Sequence, residues 1–345
     1  MRIILSFIII AWSCSSAWAT ILPPPPGHFY HGVFPGGTTG DEDDITPQAV
    51  RSYEKITGQS VMWVYFSNNW FNTRKFPQQT ASWIRDMGKI PFIRLMMRSS
   101  SAHMKAESLF TPRAIAEGKF DTDLRRWARA ARDFKTPLLV EYGTEVNGEW
   151  FGWNGRWDGG DLRGPKHFVA AFQHIVTLMR AEGAHNISWV IHFNDHSEPE
   201  ENWNLARHYY PGDDYVDWIG LSCYGPQAPR EKWEDGSFRK NMDDAVNQVA
   251  QIATKKPILL LEFGADIHHR IQPAEKWANA ALTDLFAGRW PRVCGFSWWN
   301  ETWQNDDDPR HDTSMQVQDS PALAHTLQSK FSQHRNQLVA KPILK

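Results

Sequence analysis

Two stretches of this 345-residue chain end an apolar run on a carboxylate, in glycine-bearing context. The first reads Leu138-Leu139-Val140-Glu141-Tyr142-Gly143-Thr144-Glu145-Val146-Asn147-Gly148-Glu149-Trp150-Phe151. The second reads Ile258-Leu259-Leu260-Leu261-Glu262-Phe263-Gly264. Two carboxyls brought about 5–5.5 Å apart can divide the work at a glycosidic carbon, one attacking it and the other giving a proton to the leaving oxygen. Glu262, behind a run of leucines, serves as nucleophile only if hydrogen bonds or a nearby cation keep it ionised. Glu145, beside Trp150 and Phe151, is expected to have a raised pKa and so suits the acid/base part. Glu141 and Glu149 read as bystanders. Alternation turns Glu141 away from the rim, and an Asn147-Gly148 turn aims Glu149 at the loop exterior.

The elements that must bring these residues together are legible as a repeating pattern. Strands are predicted at 29–34, 61–66, 90–96, 138–142, 187–193, 218–223, 258–263 and 293–299, several of them continuously apolar, as parallel strands covered on both faces require. Between them run helical stripes: Leu124, Trp127, Ala131 and Phe134; Phe168, Phe172, Ile175 and Met179; Met242, Val246 and Val249; Trp277, Ala281, Leu282 and Leu285. Thr46-Pro47 opens another helix with Val50 and Tyr53 on its buried face, and Gly58 stops it. Strand and helix alternating to the end specify an α/β fold, a (β/α)8 TIM barrel with long loops at 67–78, 99–121, 144–166 and 194–202 on its C-terminal rim. An open doubly wound sheet would carry a glycine-rich phosphate turn after the first strand, and His31-Gly32-Val33-Phe34-Pro35-Gly36-Gly37 is not one. In a barrel, strands four and seven face each other, so Glu145 and Glu262 meet over the mouth.

Other strand ends supply further candidates. Arg94, late in the third strand, either holds a carboxylate ionised or pairs with a structural acid. Asn194 follows the fifth strand and is placed to donate to a sugar hydroxyl, although Asn194-Asp195 is also good turn chemistry. Trp298 and Trp299 end the eighth strand, where alternation sends one inward; Trp298 is read as the floor of a sugar subsite. Trp63 and Trp70 read as packing. The chain holds 18 tryptophans, whose flat faces suit both cores and the CH faces of sugar rings.

Net charge is −2 with both signs interspersed, which gives no footprint for nucleic acid or anionic lipid. No cofactor is expected, and the acidic and histidine clusters (Asp306-Asp307-Asp308 with His311, and His268-His269) lack metal-ligand spacing, so no metal is assigned. Residues 1–19 read as a signal peptide: Arg2, an apolar stretch, then Ala17-Trp18-Ala19. That leaves 20–345 as the barrel domain, secreted or periplasmic, free of the membrane and monomeric. Cys223 and Cys294 lie in apolar strands and are expected as buried thiols rather than a disulfide.

Glu145-Val146-Asn147-Gly148 with Trp150-Phe151-x-Trp153, the run Tyr210-Pro211-Gly212-Asp213-Asp214-Tyr215-Val216-Asp217-Trp218-Ile219-Gly220 leading to Tyr224, and Glu262-Phe263-Gly264 together resemble glycoside hydrolase family 26. The resemblance spans roughly residues 29–301. It implies a barrel of the clan with catalytic glutamates after strands four and seven, and an activity among endo-β-1,4-mannanases, xylanases and mixed-linkage glucanases. By the same resemblance Glu145 is the acid/base, Glu262 the nucleophile, Trp150 a sugar-stacking residue, Tyr224 the hydroxyl that hydrogen-bonds the nucleophile, and Asn147 part of the substrate site. The position before Glu145, commonly His in the family's mannanases, is Thr144 here. The expected function is retaining hydrolysis of a β-linked polysaccharide, endo-β-1,4-mannanase-like. The alternatives are a same-clan hydrolase of β-glucan, xylan or bacterial exopolysaccharide, and a non-catalytic carbohydrate-binding barrel.

Overall fold

The eight apolar runs fold as parallel strands that neighbour one another in chain order: β1 (Phe29–Phe34), β2 (Trp63–Asn69), β3 (Ile90–Met96), β4 (Leu138–Tyr142), β5 (Ile187–Asn194), β6 (Trp218–Ser222), β7 (Ile258–Phe263) and β8 (Val293–Trp299). β8 pairs back onto β1, from Tyr30↔Gly295 to Phe34↔Trp299, and this closes the sheet into a barrel. This computed structural model describes residues 20–37, 40, 42–230 and 237–345; the expected signal peptide at 1–19 lies outside them. Every residue of the eight strands is buried, because helices cover one face and the barrel interior the other.

Local chemistry sets the helices. In α1 (Pro47–Thr57) the Thr46 hydroxyl accepts from the Ala49 amide at 3.2 Å, Pro47 occupies the first turn, and Gly58 closes it at φ +66°. α2 (Gln78–Asp86), α3 (Asp121–Phe134), α4 (Arg163–Ala181), α5 (Phe238–Ala250), α6 (Ala274–Phe286) and α7 (Pro321–Gln333) follow. On α3 the stripe Leu124, Trp127, Ala131 and Phe134 is buried, and on α4 so is Phe168, Phe172, Ile175 and Met179. Each large apolar side chain so covered contributes about 1.5–3 kcal/mol.

One unit departs from the expected alternation. The connection from β5 to β6 has no α-helix; it passes through two single turns of 3₁₀ helix, Asn202–Asn204 and Ala206–His208. This segment has no apolar stripe at helical spacing, and Pro199 and Pro211 interrupt it. Tyr209 anchors it instead: its hydroxyl donates to Asn204 at 2.7 Å and accepts from the Gly155 amide at 3.0 Å, while its ring meets Phe168 of α4 edge-on.

Beyond the barrel, Leu338–Val339 adds two residues beside the start of β1, and Thr302–Trp303 pairs antiparallel with Thr313–Ser314 after β8. Cys223 and Cys294 are buried and unpaired, as expected. Trp63 and Trp70 are packed, also as expected. Among the described residues no helix is long and apolar enough to cross a membrane.

Candidate active site

The C-terminal ends of the strands open on a cleft of about 760 Å³, whose wall includes Glu145, Glu262, Arg94, Trp150, Tyr224 and Trp299. Glu145 reaches it through an unusual turn. Gly143 sits at φ +77°, where a Cβ would lie 2.2 Å from the Phe168 ring, and Glu145 itself holds φ +46°. A non-glycine residue in the left-handed region carries strain that the surroundings must hold. Here they do: Val146 N–H donates to the His192 carbonyl at 3.0 Å, Gly148 N–H to the Glu145 carbonyl at 2.7 Å, and Trp153 Nε1 to the Thr144 carbonyl at 2.9 Å.

Glu262 is positioned by its strand. The β6–β7 register shifts between Leu221 and Ser222, which brings Glu262 level with Ser222, and a second irregularity follows between β7 and β8. Such bulges re-aim side chains next to sites. Tyr224, just past β6, donates its hydroxyl to Glu262 Oε2 at 2.8 Å, and the Arg94 guanidinium lies 3.3 Å from Oε1. Trp150 Nε1 donates to Glu145 Oε2 at 2.6 Å.

The electrostatics follow from burial and neighbours. Burial pushes the Glu145 carboxyl up, against the pull of Ser222, Arg94 and Trp150. Burial and the negative charge of Glu145 raise Glu262 to about 8, although Arg94 opposes them. Two carboxyls that raise each other do not both ionise near neutrality, so the pair titrates as a unit holding one proton. That proton belongs on Glu145: once it is there the repulsion on Glu262 is gone, while the direct contacts with Arg94 and Tyr224 remain. Arg94 stays charged because, despite burial, Glu42, Glu262 and Glu141 all surround it.

Several predicted residues stand elsewhere than the sequence suggested. Asn147 is fully buried and stitches two loops together, its amide donating to the Asn194 and His196 carbonyls at 3.2 and 3.0 Å and accepting from Asn194 N–H at 2.8 Å; it does not face the cleft. Asn194 lines the cleft, with its side-chain amide held by the His196 carbonyl at 3.1 Å. Trp298 points away, onto Phe263 and Trp277, and Trp299 takes the inward place, stacked on Phe34 at 4.1 Å with Arg94 5.3 Å over its ring. The phase was marked by Gly295 and Ser297, small residues that alternate with Trp298 and Phe296.

Glu141 is no bystander. The left-handed turn at 143–145 breaks the alternation, so Glu141 points into the barrel one layer beneath Glu145. It accepts from Thr144 Oγ1 at 2.5 Å and Tyr65 Oη at 2.7 Å. Glu149 turns inward to pair with Arg156. Glu42 and Glu301 also line the cleft, and sequence reasoning missed both as site residues; burial and the charge of Glu42 raise Glu301 to about 8. Glu301 stands two residues past the end of β8 and Glu42 in the loop that follows β1, neither within a recognisable motif.

A closed parallel barrel with two buried carboxyls in an aromatic cleft at its C-terminal rim defines the class: (β/α)8 barrels with glutamates after strands four and seven. The chain matches the model of glycosyl hydrolase family 26 over residues 113–281. It is 25% identical over 286 residues to Endoglucanase H of Acetivibrio thermocellus, covering 81% of this chain and 29% of that protein. It is 30% identical to the β-1,3-xylanase TXYA of a Vibrio species, over 49% of this chain and 34% of that one. The chain thus spans about a third of the length of these relatives. The solved structure of the Bacillus subtilis mannanase BCman superposes with a TM-score of 0.58 at 19% identity, covering 88% of this chain and 86% of that one, a likeness of fold.

Proposed function

We propose that this chain is a retaining hydrolase of a β-linked polysaccharide, with Glu262 as nucleophile and Glu145 as acid/base. The observation that carries this is two buried carboxyls lining one cleft, Glu262 with the Tyr224 hydroxyl at 2.8 Å and the Arg94 guanidinium at 3.3 Å, and Glu145 with Trp150 Nε1 at 2.6 Å. In the first step Glu262 bonds to the anomeric carbon while Glu145 transfers its proton to the departing glycosidic oxygen. In the second, water adds to that carbon, Glu145 takes the proton from the water, and the bond to Glu262 breaks. Tyr224 and Arg94 hold Glu262 ionised for attack, and Trp150 and Trp299 offer flat faces to the sugars on either side.

β-1,4-Mannan is the proposed substrate, in keeping with the mannanase fold neighbour. The names of the other relatives point to β-glucan and β-1,3-xylan, so those and bacterial exopolysaccharide belong in the same assay. We further propose that the protein is exported as a monomer after loss of residues 1–19, which N-terminal sequencing of the protein from culture fluid tests. The mechanism is tested by NMR of the first sugar released: the β configuration is expected, and an α product overturns it. A barrel that binds glycans without any reducing ends appearing is the non-catalytic alternative.

A further inference from the structure

The connection from β5 to β6, where no α-helix stands, leaves a second cavity of about 630 Å³ on the flank of the barrel, between that connection and α5. It is continuous with the catalytic cleft. Asp195 and His196, bonded to each other at 2.6 Å, belong to the walls of both cavities. Helix α5 joins them too: Asn241 lines the cleft, while Asp244, Gln248 and Gln251, three, seven and ten residues further on, line the groove. At 3.6 residues per turn these four fall on one helix face, a polar track about 15 Å long.

The track starts beside Glu145. The loop that carries Asp195 and His196 is tied to the loop that carries Glu145 through Asn147, whose side-chain amide donates to the Asn194 and His196 carbonyls and whose carbonyl accepts from the Glu198 N–H at 2.9 Å. An acid/base protonates the glycosidic oxygen, and the sugar on the far side of that oxygen is the leaving group. We infer that the groove receives the leaving-group end of an uncharged β-linked glycan, which passes from the cleft across Asp195 and His196 and along α5. The inference rests on the acid/base role proposed for Glu145.

The walls suit a ligand rich in hydroxyls. The volume falls within the range of about 300–1,000 Å³ usual for ligand sites. Asn247, Gln251, Glu200 and Glu201 line the groove, are exposed, and hold no side-chain partner among the described residues, so amides and carboxylates stand open to sugar hydroxyls. Other groups are engaged already and shape the groove: Asp244 meets Lys240 at 3.0 Å, Arg207 donates to Asn202 at 3.2 Å, and Gln248 accepts from the Ala206 N–H at 3.4 Å. No aromatic ring lines it, so direct and water-bridged hydrogen bonds do the holding rather than stacking. Acids outnumber bases there, Asp195, Glu200, Glu201 and Asp244 against Arg207 and His196, and such a wall repels carboxylated glycans.

The test is calorimetric titration of the Glu262→Gln chain with the trimer and the hexamer of β-1,4-mannose, β-1,4-glucose and β-1,3-xylose. Asn247 and Gln251 are exposed at the end of α5, where alanine is well tolerated. Replacing both with alanine is expected to weaken binding of the best hexamer about tenfold, the worth of two net hydrogen bonds, and of its trimer by less than about twofold. Followed by NMR, the hexamer shifts the backbone amides of residues 244–251 and the trimer does not. The groove is overturned by a hexamer bound equally with and without the two alanines, by amides at 244–251 that stay unmoved, or by a chain that binds none of the hexamers. A mannuronate hexamer bound as tightly as the best neutral one overturns the charge selection. Cleavage is read separately, as reducing ends from the wild type: amide shifts without cleavage refute the proposed function and leave the groove in place, and cleavage without those shifts does the reverse.

Discussion

Tyr224 donates its hydroxyl to Glu262 across 2.8 Å, from a loop one strand away from the carboxylate it serves. Burial and the negative charges of Glu262 and Glu145 hold the phenol well above its ordinary pKa, so it is a fixed donor throughout the working range. Tyr224→Phe removes that donor without opening a cavity. Glu262 must then be easier to protonate, and because the proposed attack requires its ionised form, the acid limb of kcat/KM is expected to move to higher pH. A fall of about 10–10²-fold in kcat at the optimum accompanies it, the usual worth of one preorganised donor. A pH–rate profile superimposable on the wild type refutes the assignment.

Glu262→Gln keeps the volume and removes the proposed nucleophile. The expected loss of kcat is at least ~10³-fold, since residues acting as one unit fail together. Oligosaccharide binding, followed by calorimetry or by quenching of the cleft tryptophans, persists because Trp150 and Trp299 are untouched. Full turnover in this variant eliminates the mechanism.

The carboxyl pair also fixes the alkaline limb. With one proton shared and that proton needed by the leaving group, activity falls tenfold per pH unit once the upper step of the pair is passed. Burial and mutual repulsion place that step well above the ordinary range of a glutamate. Profiles of kcat/KM measured from pH 4 to 10 settle it, and a limb below 6 contradicts the pairing.

Much of this was legible in residue order. Continuous apolar runs can only be strands covered on both faces, and that alone located all eight, five of them at their observed ends. The Thr46-Pro47 start and Gly58 stop of α1 are local chemistry and needed no tertiary knowledge. What escaped were facts about direction and distance. Glu141 was misjudged because the alternation rule assumes a regular strand, and the left-handed turn at Gly143 and Glu145 breaks it. Glu42 and Glu301 follow β1 and β8, strands at opposite ends of the chain, so only closure of the barrel puts the two carboxyls beside each other and Arg94. The missing helix between β5 and β6 left its trace in an absent stripe, easily overlooked where every other unit has one.

Adjacent tryptophans give a direct check on the inward phase of β8. Trp299→Ala removes a cleft face and is expected to raise KM about tenfold, and because the ring also packs on Phe34 at 4.1 Å it lowers stability as well. Trp298→Ala empties a site packed among Phe263 and Trp277 and breaks the bond from its Nε1 to the Met315 carbonyl at 2.9 Å. The cost there is about 3–5 kcal/mol in stability, read as a lowered denaturation midpoint, with KM little changed in the fraction that folds. The reverse pattern would restore Trp298 to the cleft.

Glu301 sets a dependence of stability on pH that is separable from catalysis. Its folded pKa, raised to about 8 by burial and by Glu42, exceeds the ordinary 4.5. A group whose pKa rises on folding contributes most stability below its unfolded value, and that contribution is lost as pH climbs through the folded value. Between pH 4.5 and 8 the wild type is therefore expected to weaken progressively, as a charge is forced into a wall it shares with Glu42 and Asp44. Glu301→Gln is isosteric and neutral at every pH, so its advantage over the wild type is near zero at pH 4 and grows to on the order of 2 kcal/mol at pH 9. Thermal melts of both proteins across that range measure the gap. A difference that stays constant with pH means that Glu301 is ionised throughout, and that Arg94 outweighs burial at this wall of the cleft.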